Sequence, residues 1–145
     1  MEKSIGSQNE AEIKGILGID FGKSKIGLAI ADSETRMAFA FNTLPNNKDF
    51  FNKLRKIIQD KEVSTIIIGM TKHENDPKSA EEKNEFIRRI EKETGIMPAL
   101  QDEMFTTKMA QENIKLRGGR NISRTDDQEA ARIILQSWLD REINN

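Results

Sequence analysis

The sequence predicts an α/β domain: a mixed five-stranded sheet, three strands antiparallel and then two parallel, with helices on both faces. Three observations predict it. Two short apolar runs, residues 16–21 and 25–31, flank Gly22-Lys23-Ser24, a turn that suits a hairpin. The run Thr65-Ile66-Ile67-Ile68-Gly69 is apolar on consecutive residues, as in a parallel strand covered on both faces. Segments of helical periodicity then alternate with strands through the second half of the chain.

In order along the chain, residues 1–14 are polar and aperiodic and read as a loose extension, leaving 15–145 as one domain. Strands are expected at 16–21, 25–31 and 37–44, the last stopped by Pro45-Asn46-Asn47. Those asparagines are expected to cap a helix that carries Phe50, Phe51, Leu54, Ile57 and Ile58 on one stripe. After the strand at 65–69 comes a polar loop, then a helix over 79–94 with Phe86, Ile87 and Ile90 inward and Gly95 closing it. A fifth strand fits 97–101. Two further helices fit 107–116 and 126–141, joined by a loop rich in Gly, Arg and Asn. A hairpin-linked antiparallel trio followed by two crossover strands is the arrangement of the RNase H-like fold.

Bulk properties bound the chemistry. The 145 residues suffice for one core, and 32% of them are charged. With a formal net charge of -1, any nucleic-acid binding must come from local basic patches. The absence of cysteine excludes disulfides, thiolate zinc sites and cysteine nucleophiles. No apolar run approaches the roughly 20 residues of a membrane span, and the first 14 residues lack the apolar centre of a signal peptide. A cytoplasmic protein is the expectation.

Three acidic positions stand out by location. Asp20 lies at the end of the first strand, one residue short of Phe21-Gly22; as a bland alternative it caps the hairpin. Asp102 and Glu103 follow the fifth strand, where alternation lets at most one of them face a given ion. Asp127 lies on the stripe Asp127, Ala131, Ile134, Trp138, which would pack on the sheet, with Asp126 better placed as the helix cap. A bland reading gives Asp127 the favourable N-terminal end of the helix. Together the three, two at strand ends and one on the helix covering that edge, suggest carboxylates sharing magnesium or manganese, two ions in all, for phosphodiester hydrolysis. Glu103 is the preferred second acid, with Asp102 as its alternative. Lys115, Arg117, Arg120 and Arg124 surround Gly118-Gly119 in the loop before Asp127, and Lys23 and Lys25 flank the hairpin turn. These six are the candidate phosphate contacts, against a plain solvated loop. His73 is assigned no role.

These residues resemble the YqgF/RuvX family of pre-16S rRNA nucleases, related to Holliday junction resolvases. The resemblance runs over 15–139 through Leu17-Gly18-Ile19-Asp20-Phe21-Gly22, then Lys25-Ile26-Gly27-Leu28-Ala29 and Asp32. It continues through Gly69-Met70, through Asp102-Glu103 with Thr106-Thr107 and Ala110, and through Asp127 with Ala130-Ala131 and Leu135-Gln136. It departs at Met104 and Lys25, where the family usually has arginine, and at Thr71, where it has proline. What it implies is a metal-dependent endonuclease acting on precursor ribosomal RNA, as monomer or homodimer, away from any membrane. The alternatives are a junction-cutting DNA nuclease and a non-catalytic nucleic-acid-binding module. Two-domain ATP-binding proteins also open with an Asp-x-Gly hairpin, but this chain has no second copy of it.

Overall fold

The computed structural model describes residues 14–70, 77–102 and 122–143. Strands β1 (Gly15–Phe21), β2 (Lys25–Asp32) and β3 (Phe39–Pro45) are followed by helix α1 (Phe50–Asp60), strand β4 (Val63–Met70) and helix α2 (Pro77–Thr94). Strand β5 (Ala99–Asp102) and helix α3 (Ile122–Ile143) complete the described elements. The sheet order is β3-β2-β1-β4-β5. β1–β2 and β2–β3 are antiparallel, whereas β1–β4 and β4–β5 are parallel. The expected trio with two crossover strands is therefore present, in the RNase H-like arrangement.

The sheet separates two apolar layers because its strands alternate. Leu17, Ile19, Ile26, Leu28, Ile66 and Ile68 face α1 and α2, where Phe50, Leu54, Phe86 and Ile90 complete one core cluster. Ile16, Ala29, Ala31 and Ile67 face the other way and pack on Ala131, Ile134, Leu135 and Leu139 of α3. β4 supplies residues to both clusters, which accounts for its unbroken apolar run.

Two expectations about helix ends are corrected. α1 has Asp49 as its N-cap with no side-chain cap bond, while Asn47 Oδ1 accepts from Asp49 N at 3.0 Å. The asparagine makes a local turn ahead of the helix rather than capping it. α3 begins at Ile122, not at Asp126, so Asp126 is not its cap. Gly95 closes α2 as expected, with φ +78°. The expected helix at 107–116 and the extension at 1–13 lie outside the described residues.

Past β2, Asp32 organises the turn toward β3. Its Oδ1 accepts from Thr35 N at 2.7 Å, Thr35 Oγ1 at 2.9 Å and Glu34 N at 3.0 Å. The Thr35 amide above all, then the Thr35 hydroxyl and the Glu34 amide, hold the carboxyl below its ordinary value. A carboxylate whose folded-state value is depressed adds stability that is complete above its unfolded value and is lost as pH falls through the folded one. Urea midpoints of wild type and Asp32→Ala should thus differ at neutral pH and converge in strong acid. A gap that stays constant with pH would mean the charge plays no part.

Candidate active site

The α3 face of β1 and β2 is lined by small residues: Gly18 on β1, and Gly27, Ala29 and Ala31 on β2. Without bulky side chains there, α3 comes down close to the strands. A Cβ on Gly18 would lie 2.8 Å from Leu135 Cβ and 3.0 Å from the Ala131 carbonyl oxygen. At Gly27 the approach is closer still, with a Cβ falling 2.1 Å from the carbonyl oxygen of Asp127 and 3.1 Å from its Cβ. Only glycine fits beneath the main chain of Asp127 at that point.

Gly27 is the register partner of Asp20 across the antiparallel pair. Directly opposed residues share a face, so Asp20 projects on the side where Asp127 sits. With opposed Cβ atoms about 5 Å apart, the Cβ atoms of the two aspartates are no more than roughly 9 Å apart, and their carboxylates can reach a common cation. Both residues are half-buried, and neither is without a partner in the fold. Because α3 starts at Ile122, Asp127 lies in its second turn, beyond the first turn where the helix dipole favours a carboxylate most. The dipole reading of Asp127 loses its main support.

The parallel strands extend the same row. Ile19 pairs with Ile68, and Gly69 pairs with Gln101. Counting one residue on from each partner, Gln101 shares the α3 face with Asp20, two strands away. Gln101 Oε1 is buried with no hydrogen-bond partner among the described residues. An acceptor left so is costly unless a donor or a cation meets it. Two carboxylates and an amide carbonyl make a donor set of hard oxygens, which suits magnesium or manganese rather than softer metals. Among the described residues no three His, Asp or Glu side chains gather to hold a metal.

Of the predicted site residues, then, Asp20 and Asp127 come together. Asp102 closes β5 in register with Met70, on the alternate row to Gln101. Glu103, Lys115, Arg117 and Arg120 lie outside the described residues, as do Thr71, His73 and Met104; the side chains of Asp102 and Arg124 do too. The two hairpin lysines are exposed and part company. Lys25 shares the parity of Gly27 and so the α3 face, whereas Lys23 lines a cavity together with Phe21 of the opposite layer. The close contact at Gly27 and the row position of Gln101 were not read from the sequence. A glycine inside an apolar strand was the available signal for the first, while nothing marked the second.

Comparison with known proteins bears on the family and the fold. Residues 14–141 match the RuvX family, described as Holliday junction resolvase. A protein of Corynebacterium diphtheriae is 30% identical, with 99% of this chain and 94% of the relative covered. One of Dictyoglomus turgidum is 35% identical, with 86% and 93% covered. Both are provisionally named pre-16S rRNA nucleases. Among solved structures, T. thermophilus RuvC in complex with a Holliday junction substrate matches with a TM-score of 0.59 at 12% identity, over 89% of this chain and 96% of that one. Fowlpox virus resolvase matches at 0.55 and 11%, over 89% and 99%. At such identities these two structures speak to the fold alone.

Gly27→Ala places a methyl group against main chain, which cannot rotate away. Overpacking of this kind commonly costs about 1–3 kcal/mol, and the urea-unfolding free energy should fall by at least about 2 kcal/mol. A variant as stable as wild type would show that α3 does not rest there.

Proposed function

The chain belongs to the RuvX family, and from that premise we propose that it is a divalent-metal-dependent endonuclease trimming the 5′ end of precursor 16S ribosomal RNA, with Asp20, Glu103 and Asp127 as its metal-holding acids. Nuclease activity is common to the family description and to the relatives' names. The choice of RNA over a DNA junction rests on the curated relatives, which cover nearly the whole chain. The observation that carries the site is the convergence of Asp20 and Asp127 across Gly27.

Glu103 is proposed as the third acid, with Asp102 as its alternative; Gln101 is on the row of Asp20. When bound, magnesium or manganese would lower the pKa of an attacking water and neutralise charge on the leaving oxygen. The protein's share is to hold oxygen ligands in place: Asp20 from the sheet, Asp127 from the helix, and the uncharged carbonyl of Gln101 beside them. Lys25, on the same face, is suited to hold a phosphate of the substrate, and Lys115, Arg117, Arg120 and Arg124 are proposed to add further phosphate contacts from the segment ahead of Asp127. No described helix is long and apolar enough to cross a membrane.

Asp20→Asn should abolish cleavage of a precursor rRNA leader in magnesium or manganese. Without metal, its stability should equal or exceed that of wild type, because one of several mutually repelling charges is gone. Assays on the leader, on unstructured RNA and on a four-way DNA junction, each with metal or chelator, test the reading directly. Preferential cutting of the junction would transfer the proposal to DNA. Full activity of Asp20→Asn would end it.

A further inference from the structure

On the opposite side of the sheet from Asp20, a cavity of about 430 Å³ opens at the end of β1. We propose that it is a subsite for one unpaired nucleotide of the substrate strand adjacent to the scissile phosphate; the idea rests on the nuclease reading above and extends it. Asp20 and Phe21 are consecutive on β1 and face its two layers, so the cavity opens beside the strand end that carries the proposed acid.

Its chemistry fits that ligand. Half-buried Phe21 meets the buried ring of Phe86 with centroids 4.5 Å apart, and Phe86 meets buried Phe51 at 5.9 Å, so Phe21 is the ring that reaches the cavity surface. The Arg89 guanidinium lies over the Phe51 ring, 4.4 Å from its centre, while bridging to Glu93 at 3.2 Å. Lys23 and Lys48 stand at the rim, both exposed and without an ion-pair partner among the described residues. Stacking surfaces beside a cationic rim are how proteins hold single-stranded nucleic acid without reading its sequence. The volume lies in the range of small-molecule sites and suits one nucleotide, not a base pair.

The cavity is also held in shape. Asn46, which lines it, donates from Nδ2 to the Gly22 carbonyl at 2.7 Å and from its backbone to the Ser24 carbonyl at 2.9 Å. The hairpin turn bearing Lys23 is thereby pinned to the segment bearing Lys48. Glu82 and Glu85 form part of the wall, and Glu85 is bridged to Arg88 at 2.6 Å. Three cations and two carboxylates line the cavity, a surplus of a single positive charge. That balance suits one phosphodiester and disfavours a terminal phosphate or a triphosphate, while the carboxylates can accept from amino groups of a base.

Lys48 belongs to this cavity and not to the acid site, so Lys48→Glu separates the two. Fluorescence anisotropy in EDTA, with a ten-nucleotide single strand and a blunt duplex of the same sequence, reads binding without cleavage. Lys48→Glu should weaken single-strand binding several-fold, leave duplex binding nearly unchanged, and reduce the slope of log affinity against log salt by about 0.7. Adding Lys23→Glu should bring the reduction to about 1.4. If Lys48→Glu binds the single strand with wild-type affinity and slope while wild-type protein cleaves RNA, the subsite is wrong and the nuclease reading stands. If wild-type protein neither cleaves nor binds any of these nucleic acids, both fall.

Discussion

The contact between the main chain of Asp127 and the bare α-carbon of Gly27 is the constraint on which the rest of the arrangement depends. It fixes how near α3 lies to the sheet, and where along β2 the helix is set. The neighbouring small residues, Gly18, Ala29 and Ala31, permit the same proximity further along, and Ala131, Ile134 and Leu135 fill what space remains. Close packing without voids has few solutions, so the position of one carboxylate-bearing residue follows from the absence of a single methyl group.

The two layers divide the work. The α1–α2 layer holds the large aromatic and branched residues, with Phe50, Leu54, Ile66 and Ile68 almost wholly buried, and carries most of the hydrophobic stabilisation. The α3 layer is thinner and made of smaller residues on the sheet side. It brings polar groups in from three sources: β1, β5 and the helix itself. An apolar layer of the first kind tolerates no uncompensated charge, whereas the strand ends under α3 present Asp20 and Gln101 beside Asp127. Most of the hydrophobic stabilisation and the proposed acid site therefore lie on opposite faces of one sheet.

Most of the fold was legible in the sequence, because its periodicities are clean. The doubly covered run at Ile66 to Ile68 marked the central strand, and the turn at Gly22 marked the hairpin; the pairing of Asp20 with Gly27 came only with the structure. The acid stripe on α3 was legible from the spacing of Asp127, Ala131 and Ile134. The start of α3 was not, because Asp126 is a good N-cap candidate and the residues before it have modest helix propensity. Nor was the separation of Lys23 from Lys25 legible. They are two apart and look alike, but one belongs to the turn and the other to the strand, so they serve different faces. Gln101 was invisible for a related reason: its significance lies in its partners across β4 and β1, which no local pattern reveals.

The paired aspartates come from the first strand and the last helix of the described chain, and that separation has a consequence for partial unfolding. Helix α3 sets Ala131, Ile134, Leu135 and Leu139 on the small residues of the sheet, while the other layer retains the aromatic core. Were the helix to detach transiently, the hairpin, β4 and the aromatic cluster would keep most of their contacts. Such a half-open molecule would still look folded to a probe of the aromatic layer, yet its acids would be far apart. The proposed acid site is thus a more sensitive gauge of a loosened α3 than any probe of the aromatic layer.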